Sequence, residues 1–209
     1  MLDGCSTVEV EKVKVQQASS YKYSCNKSGL IVSVDPYIEE ERVNKAFGYY
    51  LLSKGILPVL VVFENKSAED GFILIKEGAH LLIKDQVDQG TKDNPVGDIQ
   101  TMDQIEDSQN VQSGLLYASV LLAPAGAILL FPVMVAVGAH QLNLSIIQKN
   151  ITEKEIVDKT VYPGGSNSEF LYFQLVKTED INHLKGVVIN IKNIRSHEIQ
   201  PIKVDMMNN

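Results

Sequence analysis

The chain has 209 residues, 44% of them hydrophobic and 22% charged, which suits one folded core and excludes a disordered chain. A net charge of −7, with no cluster of Lys and Arg, excludes a reader of phosphate backbones, so no nucleic-acid partner is expected. Two cysteines (Cys5 and Cys25) and four dispersed histidines fall short of a disulfide framework or a zinc site, so neither metal nor cofactor is expected.

The first residues read Met1-Leu2-Asp3-Gly4-Cys5-Ser6. Leu2-Asp3-Gly4-Cys5 resembles the lipobox of bacterial cell-envelope lipoproteins, although Asp3 stands where that pattern carries a small or apolar residue. The resemblance implies lipid attachment at Cys5 and a signal peptide upstream of Met1. Ser6 implies sorting to the outer membrane, facing the periplasm. Acyl chains contribute about 0.8 kcal/mol per buried methylene, so several together anchor stably. The competing reading is an ordinary cysteine, paired with Cys25 in an oxidising compartment.

Residues 8–16 alternate like a strand, with a phase slip between Val10 and Val13. Residues 17–28 form a polar, Ser-rich tether, and residues 29–34 a short strand closed by Asp35-Pro36. Residues 37–54 are expected to form an amphipathic helix. Glu39, Glu40 and Glu41 suit its positive end, Val43, Phe47, Tyr50 and Leu51 share a core-facing stripe, and Lys54-Gly55 is the stop. Ile56–Phe63 is the strongest strand, followed by a turn at 64–67 and strands at 72–76 and 80–84. These predict a meander beside the helix.

Residues 85–112 are rich in Asp, Gln, Asn and Ser and read as an acidic linker. Asp85, Asp88, Asp93 and Asp98 lack the register of a calcium loop. Between Asp107 and Lys149 no residue carries a fixed charge, and the centre, 114–139, is long enough and apolar enough to span a membrane. Pro124-Ala125-Gly126 and Pro132 interrupt it, which favours an apolar helical hairpin, within an insertion at 113–141, over a single span or a buried core segment. Leu115, Leu116, Leu121, Leu122, Ile128, Leu129, Leu130, Phe131 and Val133 are its expected contacts with membrane or partner.

Residues 142–156 read as a polar helix. Strands follow near 159–162, at 169–176, from 186 to about 193 and at 197–204, with a turn at Pro163-Gly164-Gly165-Ser166. The whole reads as mainly β: an immunoglobulin-like β-sandwich over residues 29–204, preceded by a lipobox, strand and tether over 1–28 and followed by a tail at 205–209.

No nucleophile elbow, phosphate loop, dinucleotide fingerprint or His-Glu-x-x-His is present, so the chain is not expected to be an enzyme. Pro163-Gly164-Gly165-Ser166 lacks the lysine of a phosphate loop, Glu39-Glu40-Glu41 is a helix start, and His183 and His197 flank one strand. The order of parts is similar to that of uncharacterised envelope lipoproteins, which implies a lipid membrane as partner and a binding or assembly role. The alternatives are a structural subunit of an envelope or secretion complex whose partner protein buries the hairpin, and a hydrolase with an unrecognised site.

Overall fold

The computed structural model describes residues 10–83, 147–156, 159–175 and 178–206. It is mainly β, with two four-stranded antiparallel sheets consistent with a β-sandwich. In chain order the elements are β1 (Tyr23–Lys27), β2 (Leu30–Pro36), α1 (Glu40–Phe47), β3 (Ile56–Asn65), β4 (Phe72–Ile83), α2 (147–154), β5 (Thr160–Val161), β6 (Ser166–Gln174), β7 (Leu184–Asn193) and β8 (Ile199–Asp205). One sheet runs β1-β2-β3-β6 and the other β5-β4-β7-β8.

β1 and β2 form a hairpin closed by Ser28 and Gly29, both in the left-handed region at φ 53° and 82°. Two consecutive positive φ values give the turn whose twist matches the strands. A Cβ on Gly29 would also lie 2.9 Å from the backbone nitrogen of Ser67, so no other residue fits there without displacing a neighbouring loop. The tether expected at 17–28 therefore contains the first strand. Residues 10–17, expected to be strand-like, carry no regular secondary structure: Glu11 N–H donates to the Lys45 carbonyl of α1 instead of to a strand edge.

β3 is buried on both faces, which explains its unbroken run of apolar residues. Through the registers Pro58↔Tyr172, Leu60↔Phe170 and Val62↔Ser33, one face meets α1, α2 and the segment around Ala18. Tyr172 donates its hydroxyl to the Ile151 carbonyl at 3.0 Å, and Ser33 donates to Ala18 at 2.6 Å. The alternate residues, including Val32, Val34, Val61, Phe63, Leu171 and Phe173, join Leu74, Leu81, Val187, Ile189, Ile191, Ile202 and Val204 of the second sheet in one core.

The expected helix at 37–54 is shorter. α1 stops at Phe47 because Gly48 takes φ 73° and its N–H closes on the Asn44 carbonyl, a left-handed cap; a 3₁₀ turn at Leu52–Lys54 follows. Val43, Phe47 and Leu51 are buried as the stripe required, but Tyr50 is exposed. The expected meander does not form. β3 pairs with β2 and β6, while residues 72–76 and 80–83 are one strand, β4, in the other sheet, interrupted by a bulge at Gly78. Asn190 stabilises that bulge by donating to the Glu77 carbonyl at 2.9 Å. The expected helix at 142–156 is helical over 147–154 within the described residues. The stop expected near Asn193 is where β7 ends.

Candidate functional site

The N-terminal arm, residues 10–17, lies over the α1 side of the first sheet, held at Glu11 by Lys45 and at Gln16 by a 3.0 Å bond from its N–H to the Tyr21 hydroxyl. It borders two open grooves. One, of about 340 Å³, is lined by Glu11, Val13, Tyr37, Arg42 and Lys45 among others. The second, of about 460 Å³, is lined by Val15, Gln17, Val62, Glu64, Ser166 and Ser168 among others.

The chemistry of the first groove centres on Arg42. Its guanidinium donates as a fork to both carboxylate oxygens of Asp35, through Nη1 at 3.0 Å and through Nη2, and it sits 3.7 Å over the Tyr37 ring. A planar fork matches a carboxylate, and the ring face attracts the cation, so Arg42 is fixed by both. The hydrogen bond to Asp35 raises the Arg42 pKa above its ordinary value. Burial raises that of the Tyr37 hydroxyl, against the lowering pull of Arg42. Glu41 and Lys45, one turn apart and exposed, pair at 2.7 Å, which lowers the carboxylate's pKa and raises the ammonium's. In the second groove, Glu64 pairs with Lys66 at 3.3 Å through one oxygen, while its other oxygen is buried without a partner.

Behind the first groove, Tyr37, Phe47, Phe170 and Tyr172 pack ring against ring, with centroids 5.0–6.3 Å apart and mostly edge to face. Lys154, at the end of α2, covers this cluster: its ammonium lies 5.2 Å from the Phe47 ring centroid and donates to the Ala46 carbonyl at 2.5 Å. Burial lowers its pKa. Glu155, the next residue, forms a short ion pair with Lys76 of β4. Burial also pushes the Tyr172 hydroxyl pKa well above its ordinary value. α2 is thus tied to α1 and to both sheets.

Cys5 lies outside the described residues, as do Leu115, Leu116, Leu121, Leu122, Ile128, Leu129, Leu130, Phe131 and Val133, and with them the acidic linker and the expected hairpin. Cys25 is half-buried on β1. His183 and His197 are exposed at opposite ends of β7 and do not approach each other. Glu39, Glu40 and Glu41 do not converge on a common point: Glu41 turns to Lys45, and one Glu40 oxygen is buried without a partner. The Gly164-Gly165 loop is a turn whose backbone joins Asn65. Among the described residues no group of three His, Cys, Asp or Glu side chains could hold a metal ion, and no helix is long and apolar enough to cross a membrane.

The Asp35–Arg42–Tyr37 cluster was not read from the sequence. Its signal is faint: Arg42 and Arg195 are the only arginines of the chain, and Arg42 follows Asp35-Pro36-Tyr37 closely enough to fold back on it. In comparisons with known proteins, no family model, curated protein or solved structure matches the chain.

Proposed function

We propose that the chain is a protein of the bacterial cell envelope, held to the outer membrane by lipid on Cys5, with a non-catalytic binding or assembly role. Residues 114–139 are its second contact with lipid, entering and returning on one side as a hairpin. The observation that carries this reading is the pairing of strands across the apolar segment. β3 pairs with β6 and β4 with β7, so strands before and after the segment share both sheets. A single crossing would put those partners on opposite sides of a bilayer. An apolar stretch this long, left in water, would be an aggregation hazard, and a lipid surface removes that hazard. Two antiparallel sheets with the chain passing between them also favour the immunoglobulin-like assignment. A non-catalytic role is supported by the mutual pairing of Asp35 with Arg42 and Glu41 with Lys45 in the groove.

The test of the anchor is metabolic labelling with a clickable palmitate in a bacterial host, using the gene with its upstream sequence. The native chain takes up label and the Cys5→Ser variant takes up none. Label that persists in Cys5→Ser, or a native chain that stays unlabelled and soluble, would remove the lipid anchor.

A further inference from the structure

We infer that the second groove, on the outer face of the first sheet between the N-terminal arm and the turn at 162–165, is a binding site for a neutral saccharide. This goes beyond the membrane reading above and does not depend on it.

Pairing between β3 and β6 builds the floor of the groove. Partners on neighbouring strands share a face and residues alternate along each strand, so Val62↔Ser168 and Glu64↔Ser166 put all four side chains on the outer face. Further along that face stand Phe170 and Tyr172, which pack against Phe47 of α1 and, through the Tyr172 hydroxyl, against α2. The covered part of the face is aromatic. The uncovered part carries short hydroxyl side chains, which leave open the space that rings fill elsewhere.

Hydrogen bonds fix both walls. On one side Ser33 donates to the Ala18 carbonyl at 2.6 Å and Gln16 N–H donates to the Tyr21 hydroxyl at 3.0 Å, which holds the arm. On the other, Gly164 N–H donates to the Asn65 carbonyl at 2.8 Å and Asn65 N–H to the Gly165 carbonyl at 2.9 Å, which ties the turn to the end of β3. The groove is therefore formed in advance of any ligand. Its volume of about 460 Å³ falls within the range of small-molecule sites.

The chemistry of the lining selects the ligand. Gln16, Gln17, Ser166 and Ser168 bring groups that both donate and accept. Glu64 is the one charged residue among the described lining residues, and Lys66 offsets its charge at 3.3 Å. An anion finds no arginine fork there, and a divalent cation finds a single carboxylate that is already half engaged. A neutral ligand whose hydroxyls donate and accept together matches the set. The second oxygen of Glu64 is buried without a partner, a costly arrangement. The last torsion of a glutamate is soft, so a small turn of the carboxylate brings that oxygen to the groove, where a sugar hydroxyl supplies the missing donor. Tyr162 stands in the same turn, its carbonyl accepting from Gly165 N–H at 2.8 Å, and it is 67% exposed. An exposed ring beside such groups offers a flat apolar surface to the C–H face of a sugar.

The test titrates the full chain, in a polyoxyethylene detergent that carries no sugar, with the linear tetramer of N-acetylglucosamine, with maltotetraose and with inorganic phosphate. Calorimetry and saturation-transfer NMR read the binding. At least one of the two sugars is expected to bind saturably. Glu64→Gln is expected to weaken that binding about tenfold, the loss of one hydrogen bond to a charged group. Ser168→Ala should weaken it several-fold, while Glu41→Gln, on α1 in the other groove, should leave it unchanged. Circular dichroism checks that the variants fold, and Ser168→Ala decides if Glu64→Gln does not. No saturable binding of either sugar, native affinity in the folded groove variants, or tighter binding of phosphate than of either sugar would overturn the site. No lipid takes part, so the lipid anchor stands or falls separately.

Discussion

Phe47→Ala is expected to remove about 4 kcal/mol of folding stability, close to the upper range for emptying a buried aromatic site. Phe47 is fully buried, and its ring is the shared neighbour of Tyr37, Phe170 and Tyr172. Truncation leaves a cavity bounded by three large rings, two on β6 and one just after β2, so the site cannot collapse around it. Lys154 also loses the ring beneath its ammonium, which loosens α2 from α1. Domains of this size hold about 5–15 kcal/mol in total, so much of the stability goes with one ring. Urea unfolding checks this. The midpoint should fall steeply with an unchanged slope, whereas Tyr50→Ala, at an exposed site three residues on, should stay within about 0.5 kcal/mol of the native chain. Equal effects at the two positions would mean that α1 does not pack as described.

Asn65→Ala is expected to cost about 3 kcal/mol, for a different reason. The side chain is fully buried and makes four polar contacts. Its amide donates to Asp70 and Val161 at 2.7 and 2.9 Å, and its carbonyl accepts from Ser67 N–H at 3.0 Å and Ser67 Oγ at 2.6 Å. Alanine takes the Asn65 partner from the Val161 carbonyl and the Ser67 N–H in a buried site, and one of two donors from the Asp70 carbonyl. Ser67 Oγ keeps its bond to Asp70, which limits the loss. Asn65→Asp separates hydrogen bonding from size. An ionised carboxylate would face two carbonyls, so its pKa in the folded state is raised. Such a group favours folding only while protonated, so this variant should be most stable in acid and lose stability as pH rises from about 4 toward neutrality. Thermal unfolding across that range checks the sign, and a variant insensitive to pH would contradict the buried geometry.

Local features of this fold were legible in the sequence where one residue type decides them. The strand at Ile56–Phe63, the turn at Gly164, the stop near Asn193 and the buried stripe of Val43, Phe47 and Leu51 follow from apolar runs, turn chemistry and periodicity. The early end of α1 at Gly48 was not read, because the apolar spacing of Tyr50 and Leu51 carries the helical pattern past it. Partnerships were not legible. Nothing local to Ile56–Asn65 says that its neighbour is β6, a strand separated from it by the whole apolar segment, because that choice depends on matching faces across the core. β4 read as two strands because Lys76-Glu77-Gly78 breaks the alternation, while the residue that accommodates the break, Asn190, lies on β7. The groove was missed for a similar reason: Arg42 and Asp35 meet only because α1 folds back over the end of β2.

Flotation on lipid vesicles tests the membrane reading most directly. The full chain should rise with vesicles, and a chain that lacks residues 114–139 and carries Cys5→Ser should stay at the bottom of the gradient while keeping the β-rich circular dichroism of the two sheets. A full chain that remains with the soluble protein, or a shortened chain that floats as well as the full one, would contradict it.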